Sequence, residues 1–345
     1  MTASARWVLP LLVLAVLAAT VLSVFVGSTA VPPGQTWAAL LHADAPYAAV
    51  IRDFRIPGTI TAIVVGAALG VAGMQMQTLF RNPLADPYIL GASSGASLGV
   101  ALVVLVGGTA AGGFTAGLTA MGRGGTVIAA AIGAALVLAV IAVLSRWVHS
   151  AVSLLLVGVM LSSVTTAVVS VLLTMTQPQL AQQFLVWGMG TFRTSSYRDL
   201  TVMVPLVATG IALAAITIRP LNGLLLGEGY ARTMGINVGR TRLAIVVSAA
   251  LLAGVTTAYC GPIGFLGLVV PHLARFAVGT SDHRSVMPAT ILIGALLALL
   301  CGVIAQLPGA DQVLPLGAVT ALFGAPVVIV VLVRSARGRL SGVGL

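Results

Sequence analysis

Long apolar stretches with almost no charged residue recur along the whole chain. An α-helix rises ~1.5 Å per residue, so a stretch of about 20 residues crosses the ~30 Å hydrocarbon core of a bilayer. The pattern predicts an all-α, polytopic membrane protein with about ten transmembrane helices in one domain, residues 1–345. The predicted spans lie at about 8–28, 58–80, 90–108, 125–145, 151–174, 201–218, 241–260, 264–278, 287–306 and 314–333. Only 7% of the residues are charged, against about 25% in soluble domains, which excludes an ordinary soluble protein.

The chain contains no lysine, since all 17 of its basic residues are arginine. A Walker A phosphate loop requires a lysine on the phosphates, and Schiff-base chemistry requires a lysine amine. Both are therefore excluded for this chain. If ATP drives the protein, another chain must bind the nucleotide.

The arginines are unevenly distributed between the loops. Ten spans place both termini on one side, where twelve arginines lie, while five lie on the other. The positive-inside rule then predicts cytoplasmic termini for a multi-pass protein of a bacterial cytoplasmic (inner) membrane. The net charge of +10 reflects this topology, so no nucleic-acid partner is expected.

The acidic residues avoid the centres of the spans. They are Asp44, Asp53, Asp86, Asp199, Glu228, Asp282 and Asp311. Ion-coupled carriers usually keep an ionisable residue inside the membrane. Their absence from the span centres favours transport driven from outside this chain over an ion-coupled secondary transporter.

The connection between the second and third spans is short and rigid. It reads Arg81-Asn82-Pro83-Leu84-Ala85-Asp86-Pro87, and its two prolines prevent a continuous helix. One interpretation is a stiff surface connector. The other is a gate, in which Asn82 and Leu84 from two subunits close a central pore.

A long polar loop at about 219–240 is predicted on the cytoplasmic side. We expect two short helical pieces around residues 227–232, ending at Gly235. The loop is either a solvated linker or a pair of coupling helices that fit a groove on a partner.

Two patterns suggest chemistry but have simpler explanations. Gly91-Ala92-Ser93-Ser94-Gly95 matches the G-x-S-x-G nucleophile elbow, which requires a preceding strand that is not expected here. Small residues for close helix packing explain it better. His272, in the Gly- and Pro-rich run 259–275, is a candidate haem ligand, although a local hydrogen bond is the favoured interpretation.

A weak internal repeat joins the two halves of the chain. AALGVAG at 67–73 is similar to AALLAG at 249–254, and each is followed by a Pro- or Gly-rich break. The second span runs inward and the seventh outward, so the pattern predicts an inverted repeat.

Several segments together resemble the permease subunit of type II ABC importers, the group that carries ferric siderophores, haem and cobalamin. They lie at 79–87, 91–96, 261–272 and 314–326, and the resemblance covers nearly the whole chain. It implies a two-fold dimer in the lipid bilayer, with a second permease copy or a homologous permease and the path at the interface. It also implies two ATP-binding subunits that carry ATP and Mg²⁺, and an extracytoplasmic substrate-binding protein. The chain would then be a transport permease and not an enzyme, with no catalytic residue, metal or cofactor of its own.

The resemblance also implies roles for individual residues. Asn82 and Leu84 fall at the cytoplasmic gate. The expected ATPase-coupling residues are Glu228, Tyr230, Ala231, Arg232, Met234 and Gly235. The expected path residues in the fifth span are Ser162, Ser163, Thr166 and Ser170. Such hydroxyls also bond to their own helix carbonyls, which is the alternative.

On the outer face, Arg52 and Arg55 resemble arginines that pair with acids of the binding protein. The sequence departs from the family pattern at Gly58 and at Gln306, where further arginines are expected. The expected cargo is a ferric siderophore. Haem or cobalamin, carried by the same architecture, is the alternative.

Overall fold

The computed structural model describes residues 3–88, 90–111, 122–144, 147–148, 151–193, 195–306 and 314–340. These residues form α-helices and one π-helical segment, Val50–Arg55, and contain no strand, which confirms the predicted all-α fold. The helices are α1 (Ala3–Phe25), α2 (Pro33–Leu41), α3 (Ile56–Leu79), α4 (Ala92–Ala111), α5 (Gly122–Leu144), α6 (Ala151–Thr174), α7 (Pro178–Gly188), α8 (Tyr197–Ile216), α9 (Ile218–Leu225), α10 (Glu228–Thr233), α11 (Val238–Cys260), α12 (Leu266–Val278), α13 (His283–Ile304) and α14 (Leu316–Leu340). Asp311, one of the seven acidic residues, lies outside the described residues.

Seven helical segments among these residues are long and apolar enough to cross a membrane. They are Trp7–Phe25, Val50–Leu79, Val127–Leu144, Leu156–Thr174, Tyr197–Ile216, Val238–Cys260 and His283–Ile304. Three shorter apolar helices, Ala92–Val103, Leu266–Val278 and Leu316–Val330, lie over the other predicted spans. The sequence did not predict the short helices α2 and α7, which connect spans.

Helices α3, α11 and α13 form the centre of the bundle. In each helix we compare the buried share of its most apolar stretch. This share is 72% in α3, 72% in α11 and 56% in α13, but only 6% in α1. Glycines allow this close packing: Gly66 of α3 faces Gly294 of α13, and Gly95 of α4 faces Gly133 of α5. A Cβ at any of these positions would overlap a backbone carbonyl of the partner helix. Helices in lipid associate through such contacts, because lipid tails are as apolar as leucine.

Gly66→Ala is expected to lower the melting temperature of the purified protein, because the new Cβ would overlap the Gly294 carbonyl. Overpacking of this kind usually costs about 1–3 kcal/mol. Size-exclusion chromatography after stepwise heating in detergent measures the effect. Gly34→Ala is the matched control, since nothing lies within 4 Å of a Cβ built there. Equal melting temperatures for the two variants would contradict the close approach.

Helix contacts repeat between the two halves of the chain. The contact between α3 and α13 has a counterpart in the contact between α11 and α5. Likewise, the contact between α4 and α5 has a counterpart in the contact between α12 and α13. Helix α4 also packs against α6 as α12 packs against α14. These pairs are equivalent if α3, α4, α5 and α6 correspond in order to α11, α12, α13 and α14. The pairing therefore fits the predicted repeat.

Candidate functional site

The turn between α3 and α4, residues 80–91, is stabilised by its own hydrogen bonds. The backbone N–H of Asn82 donates to the Gln77 carbonyl at 3.1 Å, and Asn82 Oδ1 accepts the Leu84 N–H at 2.9 Å. Asn82 is buried, whereas Leu84 is half-buried. The structure thus places both predicted gate residues in one rigid turn, where Leu84 is the more accessible side chain.

Asp86 and Tyr88 stabilise the far end of this turn. Asp86 is buried, and its Oδ1 accepts the Tyr88 N–H at 2.6 Å. Burial, and next the negative charge of Asp86, raise the pKa of the Tyr88 phenol. The phenol therefore stays protonated at neutral pH, and its O–H remains a hydrogen-bond donor.

A cavity of about 200 Å³ lies beside this turn. Its lining has five hydroxyl-bearing side chains, one of them the aromatic Tyr88, and two further aromatic side chains, and it carries no charge among the described residues. The lining residues are Tyr88, Ser93, Ser94, Ser97, Thr166, Val169, Phe184, Trp187, Gly188 and Pro262. The volume is below the ~300–1,000 Å³ of ordinary ligand pockets, so one subunit supplies only part of a site for a large ligand.

A second cavity, also of about 200 Å³, lies between α12, α13 and α14. Cys301 and Thr320 supply the polar side chains of its described lining, which is otherwise apolar. It offers far fewer hydrogen-bonding groups than the cavity at Tyr88, so the Tyr88 cavity is the better candidate for a polar ligand.

The predicted path residues of α6 lie on or beside its exposed face. Ser163, Thr166 and Ser170 are exposed and Ser162 is half-buried, while Thr166 reaches the hydroxyl-lined cavity. The hydroxyls of Ser163 and Ser170 donate to their own helix carbonyls, each at 2.9 Å. The back-bonding alternative therefore applies to these two serines. Their oxygen lone pairs remain open to a donor on a ligand.

Ion pairing attaches α10 to the start of α11. Glu228, the first residue of α10, accepts a hydrogen bond from Arg242 Nη2 at 2.6 Å. Arg232 lies farther from the same carboxylate, at 3.6 Å, and is largely exposed. Arg242 is thus the main partner of Glu228, which the sequence did not indicate.

The other predicted coupling residues divide into a buried side and an exposed side. Ala231 is fully buried, whereas Tyr230 and Met234 are more than half exposed, at 55% and 58%. The chain then turns at Gly235, where φ is +78°, a value that favours glycine. Helix α10 lies where short helical structure was predicted around residues 227–232, and α9 precedes it. Tyr230 of α10 and Met234, which follows α10, present an aromatic and a thioether side chain outward.

Arg55 is buried, in contrast to the exposed position that docking of a binding protein requires. It is 3% exposed, and its guanidinium donates to the carbonyls of Val24 and Phe25 at 2.9 Å and of Thr29 at 2.6 Å. These carbonyls end α1 and begin the following loop. The structure therefore gives Arg55 a structural position, because both of its terminal nitrogens, Nη1 and Nη2, donate within the subunit.

Arg52 is half-buried and connects two other segments. Its guanidinium donates to the carbonyls of Ala39 and Leu40 at 2.8 and 2.9 Å, and its own carbonyl accepts the Tyr197 hydroxyl at 2.9 Å. Part of its side chain remains accessible. Of the two predicted docking arginines, it is the one available to a partner.

Arg193 fills the space next to Arg55. It donates to Ser28 Oγ at 3.0 Å and to Gln306 Oε1 at 2.6 Å. Burial, and next the positive charge of Arg55, lower the pKa of its guanidinium. Gln306 thus binds an internal arginine, Arg193. The family pattern predicts an arginine at position 306 itself.

The structure favours the simpler explanation for both the G-x-S-x-G pattern and His272. Gly91 has φ +84° and α4 begins at Ala92, with no strand in the described residues before it, so the nucleophile-elbow geometry is absent. Ser93 lines the cavity instead. His272 Nδ1 lies 2.8 Å from the Leu268 carbonyl of its own helix, which is the local hydrogen bond that was favoured.

The sequence did not single out the cavity serines of α4. Ser93 and Ser94 were attributed to helix packing and Ser97 was not considered, yet all three line the cavity. Their spacing of one and four residues is the signal that was available, since it places them on one side of a helix.

Comparison with known proteins identifies the chain. The model of the FecCD transport family matches residues 14–334. The chain belongs to the FecCD transport family. This FecCD chain is 36% identical over 332 residues to the vitamin B12 import system permease protein BtuC of Salmonella typhimurium, covering 96% of both chains. BtuC of Salmonella typhi matches to the same extent.

Solved structures agree with this assignment. A structure assigned to the metal-chelate type of ABC transporter, in an inward-facing conformation, matches this FecCD chain with a TM-score of 0.77. The two are 27% identical, and the match covers 95% of this chain and 99% of the other. The FecCD chain is therefore a multi-pass inner-membrane permease subunit of an ABC importer, and not an enzyme. Its family implies ATPase and binding-protein partners and a dimer.

Proposed function

We propose that this FecCD permease imports a large metal chelate of the corrinoid class, to which vitamin B12 belongs, at the interface of two permease copies. The supporting observation is the hydroxyl-lined cavity, whose described lining carries no charge. A corrinoid is rimmed by neutral amides, which need neutral donors and acceptors such as Tyr88, Ser94 and Thr166. Similarity to BtuC over 96% of the chain favours the same class.

A ferric siderophore is the second candidate. It is the cargo expected from the sequence, and the similarity to a transporter of the metal-chelate type favours it. Many ferric siderophores carry a net negative charge, which arginine side chains bind best. The described lining of the cavity contains no arginine, which favours a neutral corrinoid over an anionic siderophore.

The second permease copy covers the exposed faces of α6 and α14. These faces combine the hydroxyls of α6 with large apolar side chains such as Met160, Leu322 and Phe323, which are 62%, 73% and 53% exposed. The commonest closed arrangement of identical chains is a dimer with a two-fold axis. Such an axis brings two half-sites together, and this overcomes the small volume of the single cavity.

The ATPase subunits contact the permease on the cytoplasmic side, at α10. The arginine distribution favours a cytoplasmic position for both termini and for residues 219–240. Tyr230, Arg232 and Met234 are the exposed contacts offered to an ATPase subunit. ATP and Mg²⁺ bind to that subunit, and the binding protein delivers cargo to the opposite face, where Arg52 is accessible.

The permease then works by alternating access. Cargo enters the cavity between the two copies while the turns at Leu84 meet and close the cytoplasmic side. Movement of α10 with the ATPase subunits separates these turns, and the cargo leaves inward. No covalent bond of the cargo is broken in these steps.

Uptake of cobalt-labelled cobalamin, compared in cells with and without this gene, tests the proposed cargo. We expect deletion to reduce uptake to the background of energy-depleted cells, and re-expression to restore it. Iron-labelled ferric siderophore is measured in parallel as the second candidate. Cobalamin uptake that is unchanged while siderophore uptake is lost would overturn the corrinoid assignment and establish the siderophore.

A further inference from the structure

We infer that Asn222, Asp282, His283 and Thr78 form a hydrogen-bonded relay that transmits movement of the coupling segment to the gate turn. The inference rests on the proposed function, because it assigns a route to the movement that ATP hydrolysis causes. The relay runs from α9, next to α10, through the start of α13, to the last turn of α3. These positioning residues contact neither cargo nor nucleotide.

The contacts of the relay are short and continuous. Asn222 Nδ2 donates to Asp282 Oδ1 at 2.6 Å, and Asn222 Oδ1 accepts from the backbone N–H of His283 at 3.0 Å. The two ring nitrogens of His283 lie 2.6 Å from Asn222 Oδ1 and 2.9 Å from Thr78 Oγ1. His283 and Thr78 are 1% and 2% exposed, so water does not compete for the bond between them, whereas Asp282 at the other end of the relay is exposed.

The hydrogen positions follow from this chain of contacts. The Asp282 carboxylate accepts the Asn222 amide N–H, which orients the amide oxygen of Asn222 toward His283. That oxygen only accepts, so His283 Nδ1 must carry the ring proton and donate it. In the neutral ring Nε2 is then an acceptor, and the Thr78 hydroxyl donates to it. The Asp282 carboxylate is stably ionised, since hydrogen bonds from the Arg284 backbone and from Asn222 lower its pKa.

Thr78 has a second acceptor within reach. Its Oγ1 also lies 2.9 Å from the Met74 carbonyl of its own helix. The hydroxyl has one hydrogen, so it bonds either to His283 or to Met74. If α9 moves and draws His283 away, Thr78 returns to Met74 without leaving a buried donor unpaired. The Thr78 hydroxyl therefore has two satisfied orientations, so His283 can separate from α3 at little cost.

The last turn of α3 supports the gate turn directly. Gln77, next to Thr78, accepts the Asn82 N–H on its carbonyl at 3.1 Å. Its side chain is bonded to α12, where Arg275 Nη1 donates to Gln77 Oε1 at 2.8 Å. A shift of this turn therefore moves Asn82, which places the relay in contact with the gate.

A pair of threonine substitutions in α3 tests the relay. Thr78→Val keeps the shape of the side chain and removes the hydroxyl. Thr61→Val is the matched control, since Thr61 is fully buried in α3 and its hydroxyl donates to the Pro57 carbonyl at 2.8 Å. Thr78→Ser retains the hydroxyl and should restore function. Each variant is reconstituted in liposomes with the ATPase subunits and binding protein.

Two quantities are measured for each variant. One is cobalamin transported per ATP hydrolysed, which we expect to fall about tenfold in Thr78→Val, within the usual range of coupling between sites. The other is cross-linking of Leu84→Cys between the two permease copies, with and without ATP. We expect ATP to change the cross-linking yield in the Thr61→Val background and not in the Thr78→Val background.

The double variant Asn222→Ala with Thr78→Val separates a relay from two independent losses. Members of one relay should give a double variant no worse than either single variant, whereas independent sites multiply their effects. Multiplied losses, or Thr78→Val behaving as Thr61→Val does, would overturn the relay. Absence of cobalamin transport by the wild type refutes the cargo proposal instead, and the cross-linking measurement still decides the relay.

Discussion

Thr166→Trp is expected to reduce cargo import at least ~100-fold, equivalent to about 2.7 kcal/mol, while ATP hydrolysis continues near the wild-type rate. Thr166 is exposed on α6 and lines the hydroxyl-bearing cavity of about 200 Å³. An indole at this position fills much of that cavity and removes a hydroxyl from its lining. In the proposed dimer two copies meet at the path, so the block occurs twice. Uptake into proteoliposomes and phosphate release by the complete complex measure the two effects.

Val168→Trp is the matched control for this substitution. Val168 lies on the same helix and is 43% exposed, but two residues of helix place it about 200° around the axis from Thr166. The same bulk is therefore added away from the cavity. Equal loss of import in both variants, or full import by Thr166→Trp, would contradict the assignment of the cavity to the path.

Hydrophobic patterning predicts the long helices of this fold because lipid leaves the backbone no alternative. Every buried N–H and C=O must bond within its own segment, so an apolar run of sufficient length becomes a helix. The short helices α2 and α7 give no such signal, since PGQTWAALL and PQLAQQFLVWG are short and partly polar. Pro33 and Pro178 at their first positions are the start signals that were available.

The candidate site is only partly readable from the sequence. Motifs single out Asn82, Leu84 and Glu228, because the rigid turn and the polar loop are local features, and the structure places these residues in that turn and at the start of α10. Their roles in the gate and in coupling stay predictions. Partners distant in sequence are different: no pattern indicates that His283 lies next to Thr78, or that Arg242 pairs with Glu228. Such contacts depend on which helices pack together, and periodicity does not specify this.

The contacts of Arg55 could not be predicted from the sequence either, and they change the role expected for this residue. The sequence places it among arginines at the entrance to the second span, and an entrance residue is expected to be exposed. The environment of Arg55 depends on the position of the end of α1 relative to α3. The three carbonyls that accept its hydrogen bonds belong to α1 and to the loop after it. Docking and structural roles predict different outcomes when Arg55 is replaced.

Arg55→Ala is expected to abolish accumulation of folded protein in the membrane. The substitution removes three hydrogen bonds from a charged donor to carbonyls of the same subunit, each worth about 1.5–3 kcal/mol. Proteins are usually stable by only about 5–15 kcal/mol, so this loss is decisive. Membrane fractionation and size-exclusion chromatography of a fluorescent fusion measure the folded amount.

Arg198→Ala provides the control, because Arg198 lies in the first turn of α8, on the side of the membrane predicted for Arg55, but is exposed. We expect this variant to accumulate normally. Arg55→Lys should accumulate at an intermediate level, since a single ammonium does not reproduce the planar fork that reaches all three carbonyls. Normal accumulation of Arg55→Ala together with slow import would instead establish the docking role. A buried guanidinium with all three acceptors in its own subunit makes loss of the folded protein the expected result, because no binding protein is needed for those bonds to form.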